Sequence, residues 1–429
     1  MSERWPRARV TAAGVAVGAA LLLVGAVTGR PDVAVLGAAP VVAGVLDWRR
    51  RPGGAVHATL EATGRAAAAG TLTGDVTLTA PPGTAAVLVV VRRHQEVVRE
   101  VLVDVDGTRE LPLVVRTVRT GPQTLADVDA QGIGPGAASM SEAAQPVSRT
   151  TLVLPDVGHL DVLPLPPRLR GLTGAHDSRR PGEGGSLRDV HPFAPGDRLR
   201  RIDWRVTARR SPRLAELYVR REHALAEAVV VLVVDSRDDV GPDPLTWRGP
   251  TVPAASDATS LDIARRAAAS LAQAYLSAGD RVGLDDLAAM RRPLPPGGGR
   301  RQLDRIRQAL AVTAPVGEAR GRVRAPQVPS GALVVVFSTF LDDDAADVGV
   351  QWRRTGHRVI AVDVLPPLRT AHLKERHRFA LRIVRLGREN RLAALADADV
   401  EVVTWHESPA SQLTQLARRS QRRVGAGAR

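Results

Sequence analysis

Two clusters of side chains hold most of the chemistry this chain has to offer. One lies at the ends of apolar runs: Asp235-Ser236-Arg237-Asp238-Asp239 follows Val229 to Val234, and Ser338-Thr339 follows Leu333 to Phe337, with Asp342 and Asp343 close behind. Strands that end this way place polar groups at the carboxyl edge of a sheet, where ligands bind in α/β folds. The other lies within Gly171 to Arg209, where a Pro195-Gly196-Asp197 turn leads into Arg200, Arg201, Asp203, Trp204, Arg205 and Arg209. Arginine and tryptophan supply most interface hot spots, so this set reads as a partner-docking surface. An internal brace fits the same residues, with Asp203 accepting from an arginine and Trp204 packed under a guanidinium. The Gly182 to Gly185 cluster lacks the Lys-Ser/Thr of a phosphate loop and reads as a turn. His372 and His377 are five apart, off the spacing of a helix-face metal pair, and His191 is isolated. No serine elbow, HExxH or catalytic dyad emerges, so the chain reads as a non-enzyme. An enzyme acting on an anionic substrate near the Asp203 motif is the alternative.

These residues sit in 429 positions that are 44% hydrophobic, enough for two or three domains with full cores. The net charge of +14 is almost entirely arginine, with Lys374 the one lysine, a bias that fits a GC-rich genome. A basic surface favours anionic lipid or nucleic acid. With 3% aromatics and the charge spread along the chain, little is available to stack on bases, which argues against nucleic acid. The absence of cysteine excludes disulfides, thiolate metal sites and cysteine nucleophiles.

The positioning elements follow from hydrophobic pattern. Val10 to Gly29 is an uncharged run of bilayer-spanning length, and Val33 to Leu46 follows after Arg30-Pro31-Asp32. Arginines precede the first run and follow the second, so residues 1–52 read as a transmembrane hairpin with both ends cytoplasmic rather than a cleaved signal peptide. Gly14 and Gly18, then Gly25 and Gly29, form small-xxx-small pairs suited to packing the hairpin on itself. Residues 55–167 carry short β-type runs separated by turns, as in a small β-sandwich, with Gly132 to Gln145 as a loop. Residues 168–215 hold the Gly/Arg/Asp-Trp motif. From 222 to 408 strands and helices alternate, the pattern of a doubly wound α/β sheet with a parallel core. Residues 409–429 read as a basic tail or frayed helix.

The ordered series Gly182-Glu183-Gly184, Leu187-Arg188, Pro195-Gly196-Asp197, Arg200-Arg201-Ile202-Asp203-Trp204 and Thr207-Ala208-Arg209, with Gly279-Asp280-Arg281-Val282-Gly283 and the strand ending at Asp235, resembles bacterial membrane proteins of the DUF58 family. The resemblance implies a von Willebrand factor A-like domain, a place in the bacterial cell membrane, and partnership with MoxR-type AAA+ ATPases in assembling or maturing other proteins. It implies no reaction. A-type domains hold a divalent cation with Asp-x-Ser-x-Ser, a later Thr and a later Asp, hard oxygen donors that suit Mg²⁺ or Mn²⁺. Here Asp235 matches, Arg237 and Asp239 occupy the serine positions, Gly297-Gly298-Gly299-Arg300 stands near the Thr position, and Thr339 replaces the Asp. A guanidinium cannot ligate a cation and competes with one for Asp235, so the pattern points to an Arg237–carboxylate pair and no cofactor. An acidic cup rebuilt from Asp238, Asp239, Asp342 and Asp343 is the metal-binding alternative.

Overall fold

A computed structural model describes residues 5–63, 70–93, 96–171, 174–248, 252–288, 292–315 and 325–426. By internal contacts the chain divides into two units: Met1–Thr117 with Pro122–Val153, and Val118–Gly121 with Leu154–Arg429.

The first unit begins with an antiparallel pair of helices, α1 (Arg9–Thr28) and α2 (Pro31–Arg49), with mean hydropathies of 2.3 and 1.3 and length enough to cross a membrane. Gly29 closes α1 in the left-handed region and Pro31 opens α2 at a position where its missing N–H is not needed. A Cβ on Gly37 would lie 2.5 Å from the Gly18 carbonyl oxygen, and one on Gly25 would lie 2.5 Å from the Ala34 nitrogen. The helices therefore approach closely through glycines spaced by seven, Gly18 with Gly25 and Gly37 with Gly44, all four buried, the first three against backbone and Gly44 against the Val15 side chain. Gly14 and Gly29, which the small-xxx-small pattern enlists, have only open space beside their Cα atoms. At the base of the hairpin Trp48 lies between two guanidinium groups, Arg7 at 4.7 Å and Arg51 at 4.3 Å from its ring.

The rest of this unit consists of seven strands: β1 (His57–Ala62), β2 (Gly70–Thr79), β3 (Ala86–Arg93), β4 (Glu96–Val103), β5 (Thr108–Thr117), β6 (Gly121–Ile133) and β7 (Val147–Val153). They form a sheet of order β1-β2-β5 and another of order β4-β3-β6-β7. Alternate residues of both enter one core, among them Leu60, Leu72 and Leu78 from one sheet and Val87, Leu125 and Val128 from the other, so the unit is a sandwich. Trp5 belongs to that core at 5% exposure, and its Nε1 donates to the Gly54 carbonyl at 2.7 Å. Gly132 leaves room for the indole, since a Cβ there would fall 2.5 Å from it. Backbone bonds from Ala8 N to Ala138 O and from Met140 N to Pro6 O continue the attachment, so the segment read as a loop after Gly132 grips the start of α1.

In the second unit β8 (His176–Pro192) and β9 (Tyr218–Ala226) form a two-stranded antiparallel arm, with the short helix α3 (Trp204–Arg210) between them. The main sheet contains β10 (Val229–Val234), β11 (Arg281–Asp286), β12 (Leu294–Gly297), β13 (Leu333–Ser338), β14 (Arg358–Asp363) and β15 (Glu401–Thr404). Their order is β12-β11-β10-β13-β14-β15, parallel except for β12 at the edge. Every residue of β10 and β13 is buried, as the unbroken apolar runs require of strands covered on both faces. Val230, Leu232 and Val234 pack with α4 (Ser260–Ser277), α5 (Arg300–Val312) and α8 (Pro409–Ala426). Val229, Val231 and Val233 pack on the opposite face with α6 (Asp344–Arg354) and α7 (Glu375–Asp397).

Three expectations change here. Residues 154–167 belong to this second unit, with Val157, Leu160, Leu163 and Leu165 against its core and Tyr275 Oη donating to Pro164 O at 2.6 Å. Of the two readings of the C-terminal stretch, a basic tail or a frayed helix, it is a helix, α8, and its face with Leu413, Leu416 and Ala417 is buried. The glycines at 182 and 184 lie within β8 rather than in a turn, and a Cβ on either would meet Ala224 or the His223 carbonyl of β9 within 2.4 Å.

Because Trp5 fills the sandwich core, Trp5→Ala is expected to cost about 3 kcal/mol, as for a large buried aromatic. Calorimetry of the full chain in detergent should show the sandwich transition lowered and that of the α/β sheet unmoved.

Candidate functional site

Asp235 follows the last residue of β10 and is buried, at a point where three strand ends converge. A carboxylate in that position requires donors and a countercharge. Ser338 Oγ, at the end of β13, donates to its Oδ2 at 2.7 Å. Arg237 supplies the charge: Nε donates to Asp235 Oδ1 at 2.8 Å and Nη2 to Oδ2 at 2.9 Å, a planar fork on both oxygens. The same guanidinium extends Nη2 to Asp342 Oδ1 at 2.9 Å and Nη1 to Asp344 Oδ2, with only 9% of the side chain exposed. Burial works against its charge, but the hydrogen bonds and charge of Asp235, and then of Asp342, outweigh it and hold its pKa above the ordinary value. Ser236 Oγ turns the other way and donates to Asp286 Oδ1 at 2.7 Å at the end of β11.

The carboxylates of the proposed acidic cup have separate partners. Asp239 accepts from Leu261 N and pairs with Arg119, Asp342 faces Arg237, and Asp343 pairs with Arg391 of α7. Asp238 is half-buried, and burial followed by the charges of Asp235 and Asp342 raises its pKa. Asp342 is raised in the same way, by burial first, although Arg237 opposes the shift. Among the described residues no three acidic or imidazole groups converge as a cation's ligand set. At this edge Arg237 bonds Asp235, Asp342 and Asp344 together, which fastens the loops after β10 and β13 to the start of α6. Thr339 is buried; its carbonyl accepts from Arg388 Nε of α7 at 2.8 Å, and Arg388 also pairs with Asp363 at the end of β14.

The Arg/Asp/Trp motif builds the β8–β9 arm. Asp203 caps α3, its Oδ1 accepting from Arg205 N at 3.1 Å and Val206 N at 3.0 Å. Its nearest guanidinium is that of Arg220, at 3.9 Å. Trp204 follows at the first helical position, 62% exposed, and among the described residues no guanidinium stacks on it; Arg210 lies over Tyr218 instead, at 5.5 Å. Of the expected brace, Asp203 keeps a long contact to Arg220 through Oδ2, but among the described residues no guanidinium packs on Trp204. Arg200 and Arg209 are exposed, as is Leu199. Arg201 points inward, to Gly182 O at 3.1 Å and to Glu183 and Glu222, both at 3.5 Å. Asp197 closes its turn by accepting from Ala194 N, which with Arg221 keeps its carboxyl below the usual range. A cleft of about 260 Å³ lies between these residues, lined by Gly182, Glu183, Asp197, Arg198, Arg201 and Arg221 among others.

Three polar networks escaped the sequence reading. Asp344, which begins α6, completes the Arg237 cluster across 107 residues. Asp262 of α4 accepts from Thr120 N and Thr120 Oγ1, both at 2.7 Å, and Arg265 donates to Thr120 O at 2.8 Å. The sequence signal for Asp262 is its position three residues after Thr259, a capping box that both side chains complete. On the arm, His176 of β8 lies 2.9 Å from Asp280 Oδ1, an oxygen that also accepts from Ala228 N at 2.7 Å. The hydrogen bond to Asp280 raises the imidazole pKa against the opposing effect of burial.

Arg237→Met leaves three carboxylates facing one another. The expected loss is about 2–3 kcal/mol, less than for a fully buried pair because Asp342 and Asp344 are partly exposed. Urea denaturation should show that loss shrinking as acid protonates the carboxyls. For His176 the folded pKa lies above the ordinary 6.5, so its stabilisation is complete below that pH and fades as pH rises through the raised value. His176→Gln should flatten this part of the stability–pH curve.

No curated protein matches the chain. Residues 189–374, which run from within β8 through β14 to the residue preceding α7, match the profile of the family described as Protein of unknown function DUF58, which supports a DUF58 assignment for that part of the chain.

Proposed function

We propose that this chain is a membrane-anchored scaffold with no catalytic activity of its own. Its α/β unit is read as a doubly wound von Willebrand factor A-like domain, held in the cytoplasm by a two-pass hairpin with both termini inside. Its partner is a protein, an AAA+ ATPase of the MoxR type, and its role is in assembling or maturing other proteins. The observation that carries this reading is the Arg237 fork on Asp235. A-type edges that depend on metal complete the cation's coordination with a partner carboxylate. With a guanidinium in the cation's place the carboxyl-edge loops are fixed beforehand, so binding here does not wait on metal. Exposed Trp204, Leu199, Arg200 and Arg209 on the β8–β9 arm have the composition of a second contact surface. The strand order, with helices on both faces, and the two long apolar helices support the domain type and the anchor.

One observation favours a second reading, an enzyme acting on an anionic substrate. The cleft beside the Asp203 motif is lined by Arg198, Arg201, Arg220 and Arg221. Glu183, Asp197 and Glu222 line it too and pair with three of these arginines, which leaves it little positive potential for such a substrate.

The test is to recover the full chain from its native host in mild detergent, with and without EDTA. A MoxR-type ATPase should co-purify in equal amount under both conditions. Failure to recover it overturns the scaffold reading, and recovery abolished by EDTA shifts it to metal-dependent binding.

A further inference from the structure

Helix α7 is fastened to the sheet over its second half, and its first half buries one face and exposes the other. Leu381 and Leu395 are its buried side chains, and Arg388 is fixed at the carboxyl edge through Thr339 O and Asp363. The strands point toward that edge and α7 runs back along the sheet, so the residues before Arg388 lie beyond it. From Glu375 to Arg388 that is a length of about 20 Å at ~1.5 Å per residue.

On this projecting part Phe379, Ile383 and Leu386 are 66%, 57% and 52% exposed. They recur at i, i+4 and i+7 and form one stripe, opposite the face that carries Leu381, Arg388 and Leu395. Arg376 on one side and Arg378 and Arg382 on the other flank the stripe, Lys374 and Arg385 lie farther round the helix, and Glu375 is the one acid in the same stretch. Among the described residues no carboxylate pairs with any of these five cations.

We propose that the projecting half of α7 is an interfacial helix that lies on an anionic lipid surface. An apolar stripe containing a phenylalanine, flanked by side chains that keep their charge in water while their stems lie along apolar surface, fits the boundary between headgroups and acyl chains. The five cations match the negative surface of a bilayer rich in anionic phospholipid. The proposal rests on the reading of α1 and α2 as a membrane anchor, which keeps the lipid surface at high effective concentration for the rest of the chain. Since Arg388 ties α7 to Thr339, the same contact would hold the carboxyl-edge loops at the level of the headgroups.

The chain has no cysteine, so single labelling sites are available in the full protein. Phe379→Cys, Val24→Cys in α1 and Asp304→Cys in α5 would each carry an environment-sensitive fluorophore. Each protein would be placed in nanodiscs of phosphatidylcholine alone or mixed with phosphatidylglycerol, with brominated acyl chains as quencher. The expected result is quenching at position 24 in both lipids, at position 379 only with phosphatidylglycerol, and at position 304 in neither. Arg376, Arg378, Arg382 and Arg385 changed together to Gln should return position 379 to its level in phosphatidylcholine. Quenching at 24 without quenching at 379 overturns the proposal and leaves the anchor standing. No quenching at 24 overturns the anchor itself. Equal quenching at 304 and 379, or quenching at 379 that ignores lipid charge, overturns the specific role of α7.

Discussion

A carboxylate at the end of a strand buried on both faces must be given a positive partner, and much of the carboxyl edge of this sheet follows from how Asp235 obtains one. That partner is the monovalent, planar guanidinium of Arg237. Because it comes from the chain, it is present at all times and at fixed geometry. Arg237 joins the loop after β10 to the loop after β13 and to the start of α6, while Ser338 binds the same carboxylate from the neighbouring strand. Lysine would not substitute, since one ammonium cannot fork Asp235 and reach two further carboxylates in a plane.

Arginine is used in the same manner elsewhere in this unit. Arg358 grips Glu401 on the adjacent strand with two nitrogens, Arg388 bridges the ends of β13 and β14 to α7, and Arg391 meets Asp343. The basic composition is thus divided between cations that fasten elements together and cations that face outward. Position in the fold, not abundance, separates the two groups.

The parts of the fold that were legible in the sequence are those where one physical demand dominates. Val229 to Val234 and Leu333 to Phe337 are apolar without interruption because both faces are covered, and Arg237 beside Asp235 announces a charge pair by chemistry alone. Asp344 was not legible as its third partner, because nothing local shows that a residue 107 positions away closes the cluster. Nor was β8, whose polar, glycine-rich sequence lacks strand alternation; its pairing with β9 contains several register shifts, and its glycines serve close approach of the two backbones. The Leu413 and Leu416 face of α8 was obscured by the arginines around it. In the hairpin, the glycines that make contact are seven apart, a spacing that a four-residue small-xxx-small pattern does not pick out.

Trp5 has a consequence for the order in which the protein is made. The indole completes a sandwich whose final strand ends at Val153, so Trp5 leaves the ribosome nearly 150 residues before the strand that completes its core. Through that interval the two apolar helices can already pair with each other, and the sandwich must then close around a segment held at its far end. Trimming the first helices to obtain a soluble fragment would remove this indole and leave a void in the domain that the truncation was meant to preserve.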